Sequence, residues 1–292
     1  MTIFELIESS TARLTEAGLA FGHGTTNARD EAVWLTLWAL GLPLDDLGSV
    51  STSLVLDQAQ IDKVQQLIER RISTRQPAAY LTNEAWLQGV PFYVDERVIV
   101  PRSFIAEVIA DGSIDEWLSE QTTRVLDLCT GNGSLAVLAA MAWPEITVDA
   151  ADLSTDALAV AHINVDKHAL ADRITLLESD GLKRVQGPYD LILCNPPYVN
   201  AASIAALPQE YQAEPIMALA SGADGMDFCR ELIAALCLEP SRYLNEDGVL
   251  VLEIGNERDH FEEAFADLPV VWLDTSSGMD QLLLITREAL EV

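Results

Sequence analysis

Three observations predict an α/β protein with a doubly wound, mostly parallel sheet. From Arg124 onward the chain carries short, continuously apolar runs: RVLDLC, ITVDAAD, RITLLE, YDLILC and GVLVLEI. Helical segments, SLAVLAAMAW and TDALAVAHINVDKHA, and a short link through Gly181 lie between the first four. Two further apolar runs, VVWLD and QLLLIT, follow as a closing pair and bring the expected strands to seven. Strands that are apolar on both faces and alternate with helices belong in a sheet covered on both sides. The ligand site of such a fold lies at the C-terminal strand ends.

The elements before the sheet read differently. In NARDEAVWLTLWAL, Asn27 is a helix cap with Asp30 three residues on, and Gly41 and Pro43 stop the helix. Trp34 and Trp38 are spaced as a core stripe. IDKVQQLIERRI sets Ile61, Val64, Ile68 and Ile72 on one helical face, and Pro77 ends that segment. EAWLQGVPFYVDERVIVPR mixes β-branched and aromatic residues around Gly89 and Pro91, which predicts a hairpin. The expected organisation is a helical region over 1–82, a hairpin linker over 83–102 and the α/β domain over 103–292.

The chain has 292 residues with 17 Lys and Arg against 46 Asp and Glu, a formal net charge of -29. Such a field repels phosphates, so no direct nucleic-acid binding is expected. It suits a basic protein partner and also serves solubility alone. The four cysteines, Cys129, Cys194, Cys229 and Cys237, show no zinc spacing. Cys129 and Cys194 fall in predicted strands, where free cysteine is a small buried hydrophobe. No histidine has ligand-like spacing, and no metal is implied; the histidines read as structural or surface residues. The N-terminal MTIFELIESS lacks the basic and apolar regions of a signal peptide, and no run approaches the ~20 apolar residues of a membrane span. A reduced cytoplasmic protein is expected, with no membrane association.

Four strand tips carry the candidate site. The first strand leads through Asp127 into Cys129-Thr130-Gly131-Asn132-Gly133, where two glycines permit a tight turn at a helix start. Alone, that GxG is an ordinary strand-to-helix turn. The second strand ends on Asp152-Leu153, a carboxylate placed to accept from both hydroxyls of a ribose. The third ends on Asp180-Gly181, where the acid can meet an adenine amino group. The fourth ends on Asn195-Pro196-Pro197-Tyr198; prolines terminate strands, yet an amide beside two rigid rings also suits a flat NH2 group. A nucleoside with a small tail and no phosphate clamp fits this set, and S-adenosylmethionine is such a molecule.

With those residues in view, the region 124–286 resembles class I S-adenosylmethionine-dependent methyltransferases. The NPPY tetrad is similar to that of enzymes acting on planar NH2 groups: adenine or cytosine in DNA, or the side-chain amide of glutamine. Over nearly its full length the chain resembles the glutamine methyltransferases of the HemK/Prm type. AAYLTNEAWLQGVPFYVDERVIVPRS resembles the branch that modifies the third protein of the large ribosomal subunit, and LPQEYQAEPIMALASGADGMDF resembles the family's segment after NPPYV. The sister branch, acting on peptide-chain release factors, has an acidic run where this chain reads RSFIAE. The chain departs from the family at Asn132 and at Gly181-Leu182, which stands where a bulky pair is usual.

The resemblance implies a role for each catalytic residue. Asn195 and the Pro196 carbonyl accept from the two amide hydrogens, Pro197 stiffens the segment and Tyr198 packs on the amide. Asp127, Cys129, Thr130, Gly131, Asn132, Gly133, Asp152, Leu153, Asp180, Gly181 and Asn195 form the cofactor side. The helical N-terminal region then selects the protein substrate.

Overall fold

The computed structural model describes residues 1–44 and 54–291; the part of the helical region over 45–53, and the last residue, lie outside the described residues. Helices α1 (Ile3–Glu16), α2 (Ala28–Leu40) and α3 (Gln58–Thr74) pack together around a core of their own that includes Ile3, Leu6, Leu14, Leu35, Val64 and Ile68. The Asn27 side chain caps α2, accepting from the backbone N–H of Arg29 and Asp30. Gly41 ends that helix in the left-handed region. Two expectations change here. Trp34 and Trp38 are only partly buried, at the margin of this core, because Leu35 and Leu37 hold its centre. On α3 the fourth buried position is Arg71, not the partly exposed Ile72. The Arg71 guanidinium is fully enclosed; its Nε donates to Glu31 at 2.7 Å and an Nη to the Ala20 carbonyl at 3.1 Å.

A short helix α4 (Ala78–Thr82) leads into the hairpin β1 (Ala85–Leu87) and β2 (Val90–Phe92). Both turn residues, Gln88 and Gly89, have positive φ, as a two-residue hairpin turn requires. The connector is pinned from several sides. Asn164 donates to the Tyr93 carbonyl and accepts from its N–H, and His168 contacts the Pro91 carbonyl at 3.0 Å. The Tyr80 hydroxyl donates to Val98.

The remainder forms the expected sheet. After α5 (Ile105–Asp111) come β3 (Arg124–Leu128), α6 (Ser134–Ala142), β4 (Thr147–Asp152), α7 (Thr155–Lys167), β5 (Ile174–Glu178) and β6 (Tyr189–Cys194). Then follow α8 (Ala201–Ala206), α9 (Asp227–Leu238), α10 (Pro240–Tyr243), β7 (Leu244–Glu253), α11 (Arg258–Ala264), β8 (Val271–Trp272), β9 (Leu282–Thr286) and α12 (Arg287–Leu290). The seven strands lie in the order β5-β4-β3-β6-β7-β9-β8. All pairs are parallel except the two made by β9. One apolar core lies on each face of the sheet, which is why the strands are apolar throughout. The chain builds outward from β3 through β4 to β5, then returns to place β6 on the other side of β3. The strand order therefore reverses between β3 and β6, and that crevice is where such folds bind ligands.

Candidate active site

A cavity of about 360 Å³ opens at that reversal point. Its wall includes Cys129, Gly131, Asp152, Leu153, Asp180, Gly181, Asn195 and Pro197, so all four predicted strand tips converge. The remaining predicted residues of the first loop, Asp127, Thr130, Asn132 and Gly133, are not on that wall. They shape the loop from beneath. Buried Asp127 accepts from the Thr130 hydroxyl at 2.5 Å and from the Ala136 N–H at 3.0 Å, and burial pushes its carboxyl up to about 7. Asn132 receives Asn164 on its carbonyl. Gly131, at φ +57, has nothing within 4 Å of where a Cβ would stand, so the turn is open toward the cavity.

Asp152 braces the same turn. One carboxylate oxygen accepts from the Gly131 N–H at 2.9 Å and the other from the Ser154 N–H at 2.8 Å, while burial raises its pKa. Asp180 reaches the cavity but is paired with Lys183 at 2.5 Å. Gly181 sits at φ +53 with open space beside it, and Leu182 points into the core at 5 % exposure. The substitution that departs from the family pattern thus leaves room in the cavity rather than filling it. Cys129 is a correction: it lies one residue past β3, at φ +62, partly exposed on the cavity wall. Only Cys194 is a buried strand thiol, directly across from Leu128, and burial pushes that thiol up.

A second cavity of about 140 Å³ meets the first at Asn195. Arg102, Asn195, Pro196, Tyr198 and Tyr211 line it, among others. Asn195 donates its Nδ2 to the Arg102 carbonyl at 3.4 Å, which leaves its side-chain oxygen free as an acceptor. Tyr198 is wedged against the backbone after β7: a Cβ at Gly255 would stand 2.4 Å from the ring. Its hydroxyl donates to Glu253 at 3.4 Å, and burial keeps the phenol well above its ordinary range.

Three residues that support this corner were not singled out from the sequence as site residues. Glu253 ends β7, beside the NPPY strand. It accepts from the Ser103 hydroxyl at 2.6 Å and the Phe104 N–H at 2.9 Å, and burial raises its carboxyl to about 7. An acid closing the apolar run LVLE is the same signal that singled out Asp152, so it was there to be read. Arg102 and Glu214 form a two-pronged ion pair at 2.7 and 2.6 Å. They lie 112 residues apart, and nothing local in either stretch announces the pairing. His23, expected to be structural, is indeed buried. It lies 3.6 Å from Glu214 with its ring 4.2 Å from that of Tyr211, joining the helical region to the segment after NPPY. Among the described residues no group of three or more His, Cys, Asp or Glu side chains converges as a metal site.

A parallel sheet reversing at β3/β6, a glycine turn, an acid on the next strand tip and NPPY at the crevice define a class I methyltransferase. The Methyltransferase small domain family matches residues 113–222. The catalytic domain of human Mettl16, solved in complex with an RNA hairpin of the MAT2A 3'UTR, superposes with a TM-score of 0.54 over 80% of this chain and 82% of that one. At 14% identity that likeness concerns the fold alone. The ribosomal protein uL3 glutamine methyltransferase of Bordetella pertussis is 53% identical over 99% of this chain and 96% of its own length. Its counterpart from Burkholderia pseudomallei is 52% identical over 97% and 94%. The chain belongs to the ribosomal protein uL3 glutamine methyltransferase family.

Proposed function

We propose that this enzyme transfers a methyl group from S-adenosylmethionine to the side-chain nitrogen of a glutamine in ribosomal protein uL3, in the cytoplasm. The observation that carries this reading is the meeting of a large and a small cavity at Asn195, with Ile99 and Ala218 completing the shared edge. A methyl donor in one and an amide in the other would face each other there.

The large cavity suits the donor by its chemistry. Asp152 would accept from the ribose hydroxyls, Gly131 would let the backbone approach closely, and Leu153 and Gly181 would flank the base. Asp180 would meet the adenine amino group on giving up Lys183. When bound, S-adenosylmethionine supplies a methyl group on a positive sulfur that leaves as a neutral thioether.

The small cavity would hold the acceptor. An amide nitrogen is a poor nucleophile because its lone pair is delocalised into the carbonyl. Positioning is then the main lever, worth roughly 7 to 11 kcal/mol in the best intramolecular cases. Asn195 offers its free side-chain oxygen to one amide hydrogen and the Pro196 carbonyl takes the other. Pro196 and Pro197 fix the backbone that presents them. Tyr198, held by Gly255 and Glu253, supplies a rigid face for the amide plane. The helical residues 1–82 and the linker 83–102 would select the protein, with 103–292 doing the chemistry. No helix of the described residues is long and apolar enough to cross a membrane.

The test is incubation of the enzyme with isotopically labelled donor and, separately, uL3, a peptide-chain release factor and duplex DNA. Label on a glutamine of uL3 is expected. Label chiefly on the release factor moves the chain to the sister branch, and label chiefly on DNA sinks the protein-methylating reading.

A further inference from the structure

Glutamine has a close charged mimic. Glutamate replaces the NH2 group by an oxygen and brings a negative charge, and any protein substrate carries many glutamates. A pocket for the amide must therefore avoid holding a carboxylate tightly.

Among the residues lining the 140 Å³ cavity, Arg102 is the one with a charged side chain. A guanidinium facing a small, partly apolar pocket is a strong carboxylate ligand, because its fork donates two parallel hydrogen bonds. Here that fork is already engaged. Glu214 takes both prongs, at 2.7 and 2.6 Å, and its own side chain is 0% exposed. Glu214 also accepts from the Val100 N–H at 2.8 Å. With these donors around it the carboxylate stays ionised, down to about 2. Glu253 is turned toward Ser103 and Phe104, His23 stands behind Glu214, and Tyr211 lies with its ring 5.5 Å from the guanidinium.

We infer that Glu214 determines specificity: by occupying the Arg102 guanidinium it keeps the amide pocket electrically neutral, so that the site accepts glutamine and discriminates against glutamate. The inference rests on the reading of the small cavity as the amide pocket. Under it, the Arg102–Glu214 pair is more than a brace between the connector and the segment after NPPY.

The test uses the full chain and purified uL3. Mass spectrometry of uL3 treated with wild-type enzyme first locates the methylated glutamine; finding none overturns the assigned reaction and the inference with it. A uL3 variant with that glutamine changed to glutamate then serves as inhibitor of methylation of ordinary uL3. Wild-type enzyme should hold the glutamate form no more tightly than ordinary uL3. Glu214→Gln should shift that ratio toward the glutamate form by about tenfold, the gain expected from a charged hydrogen-bond partner. A role confined to structure weakens both ligands together, and an unchanged ratio overturns the inference. Leu207→Lys, at a partly buried lining position, adds an unpaired cation while leaving the ion pair alone. It should shift the ratio the same way, and a folded Leu207→Lys protein with the wild-type ratio overturns the inference even where Glu214→Gln does not fold. The double variant Arg102→Gln/Glu214→Gln, which leaves no unpaired charge, should return the ratio to that of the wild type.

Discussion

At the scale of single residues, the two cavities meet at Asn195 and rest on two acids. On the proposed reading, Asn195→Ala removes the acceptor that would aim the amide but leaves the strand and the prolines in place. The fold should survive, and single-turnover rates should drop by about 10²-fold or more, the effect of a misplaced reacting group. A rate near wild type would reduce NPPY to a strand terminator. Asp152→Ala removes a charged acceptor that also braces Gly131 and Ser154. Calorimetry should report donor binding weaker by about 1.5 to 3 kcal/mol. Unchanged affinity would take Asp152 out of the site. Glu253 carries a pH dependence. Its carboxyl rises from 4.5 to about 7 through burial, so the folded state holds the proton more tightly than the unfolded chain. Its contribution to stability is then full below about pH 4.5 and fades as pH rises through about 7. Relative to wild type, Glu253→Gln should therefore gain stability between pH 5 and pH 7.5 in denaturant titrations. A flat difference would mean that the carboxyl titrates normally.

At the scale of elements, the strands deliver their tips to one crevice while the helical region solves a separate packing problem. The face of α3 that holds Ile61, Val64 and Ile68 continues into Arg71, which is buried against Glu31 of α2 and the Ala20 carbonyl. That ion pair ties α3 to α2 inside the helical core. Removing Arg71 leaves the buried Glu31 carboxylate with no cation and only the Thr25 hydroxyl, at 3.0 Å, as a donor. Arg71→Ala should cost about 3 to 5 kcal/mol of stability in chemical denaturation. A loss below 1 kcal/mol would show that the pair is hydrated or easily replaced. Gly255 plays the corresponding part at the end of β7. Its positive φ and missing side chain make the space that Tyr198 fills, so β6 and β7 together set the aromatic wall of the small cavity.

At the scale of the whole molecule, the segment after NPPY does two things. It supplies one wall to both cavities, and it binds the helical region through buried carboxylates. Glu210 forms an ion pair with Arg75 at 2.6 Å and accepts from the Ala20 N–H at 3.1 Å, and Glu214 lies against His23. The helical region and the two cavities are thus tied together by this stretch of chain. Over this architecture lies a net charge of -29. A basic ribosomal protein should be drawn in by that field, and the pocket should set the final discrimination. Raising salt should lower the association rate with uL3 by about tenfold or more and change dissociation far less. Stopped-flow traces whose dissociation phase alone responds to salt would contradict steering.

Sequence alone determined the seven strands, the two main sheet helices, the hairpin and the four loaded strand tips. Each of these is written in local pattern: apolar runs, turn residues, an acid or amide closing a strand. Period and punctuation act over a few residues, so they survive reading without coordinates. What only the tertiary structure decided is which side chains meet. Asp127, Thr130 and Asn132 proved to lie under the loop they help form, because the turn at Gly131 carries the chain over them. Cys129 left the strand for the cavity wall, Arg71 took the place expected of Ile72, and the partners of Arg102 emerged from a segment 112 residues away. Such pairings depend on how the sheet order reverses and how the helical region is seated against the sheet. Burial and charge compensation are properties of that arrangement in space, and no stretch of neighbouring residues contains them.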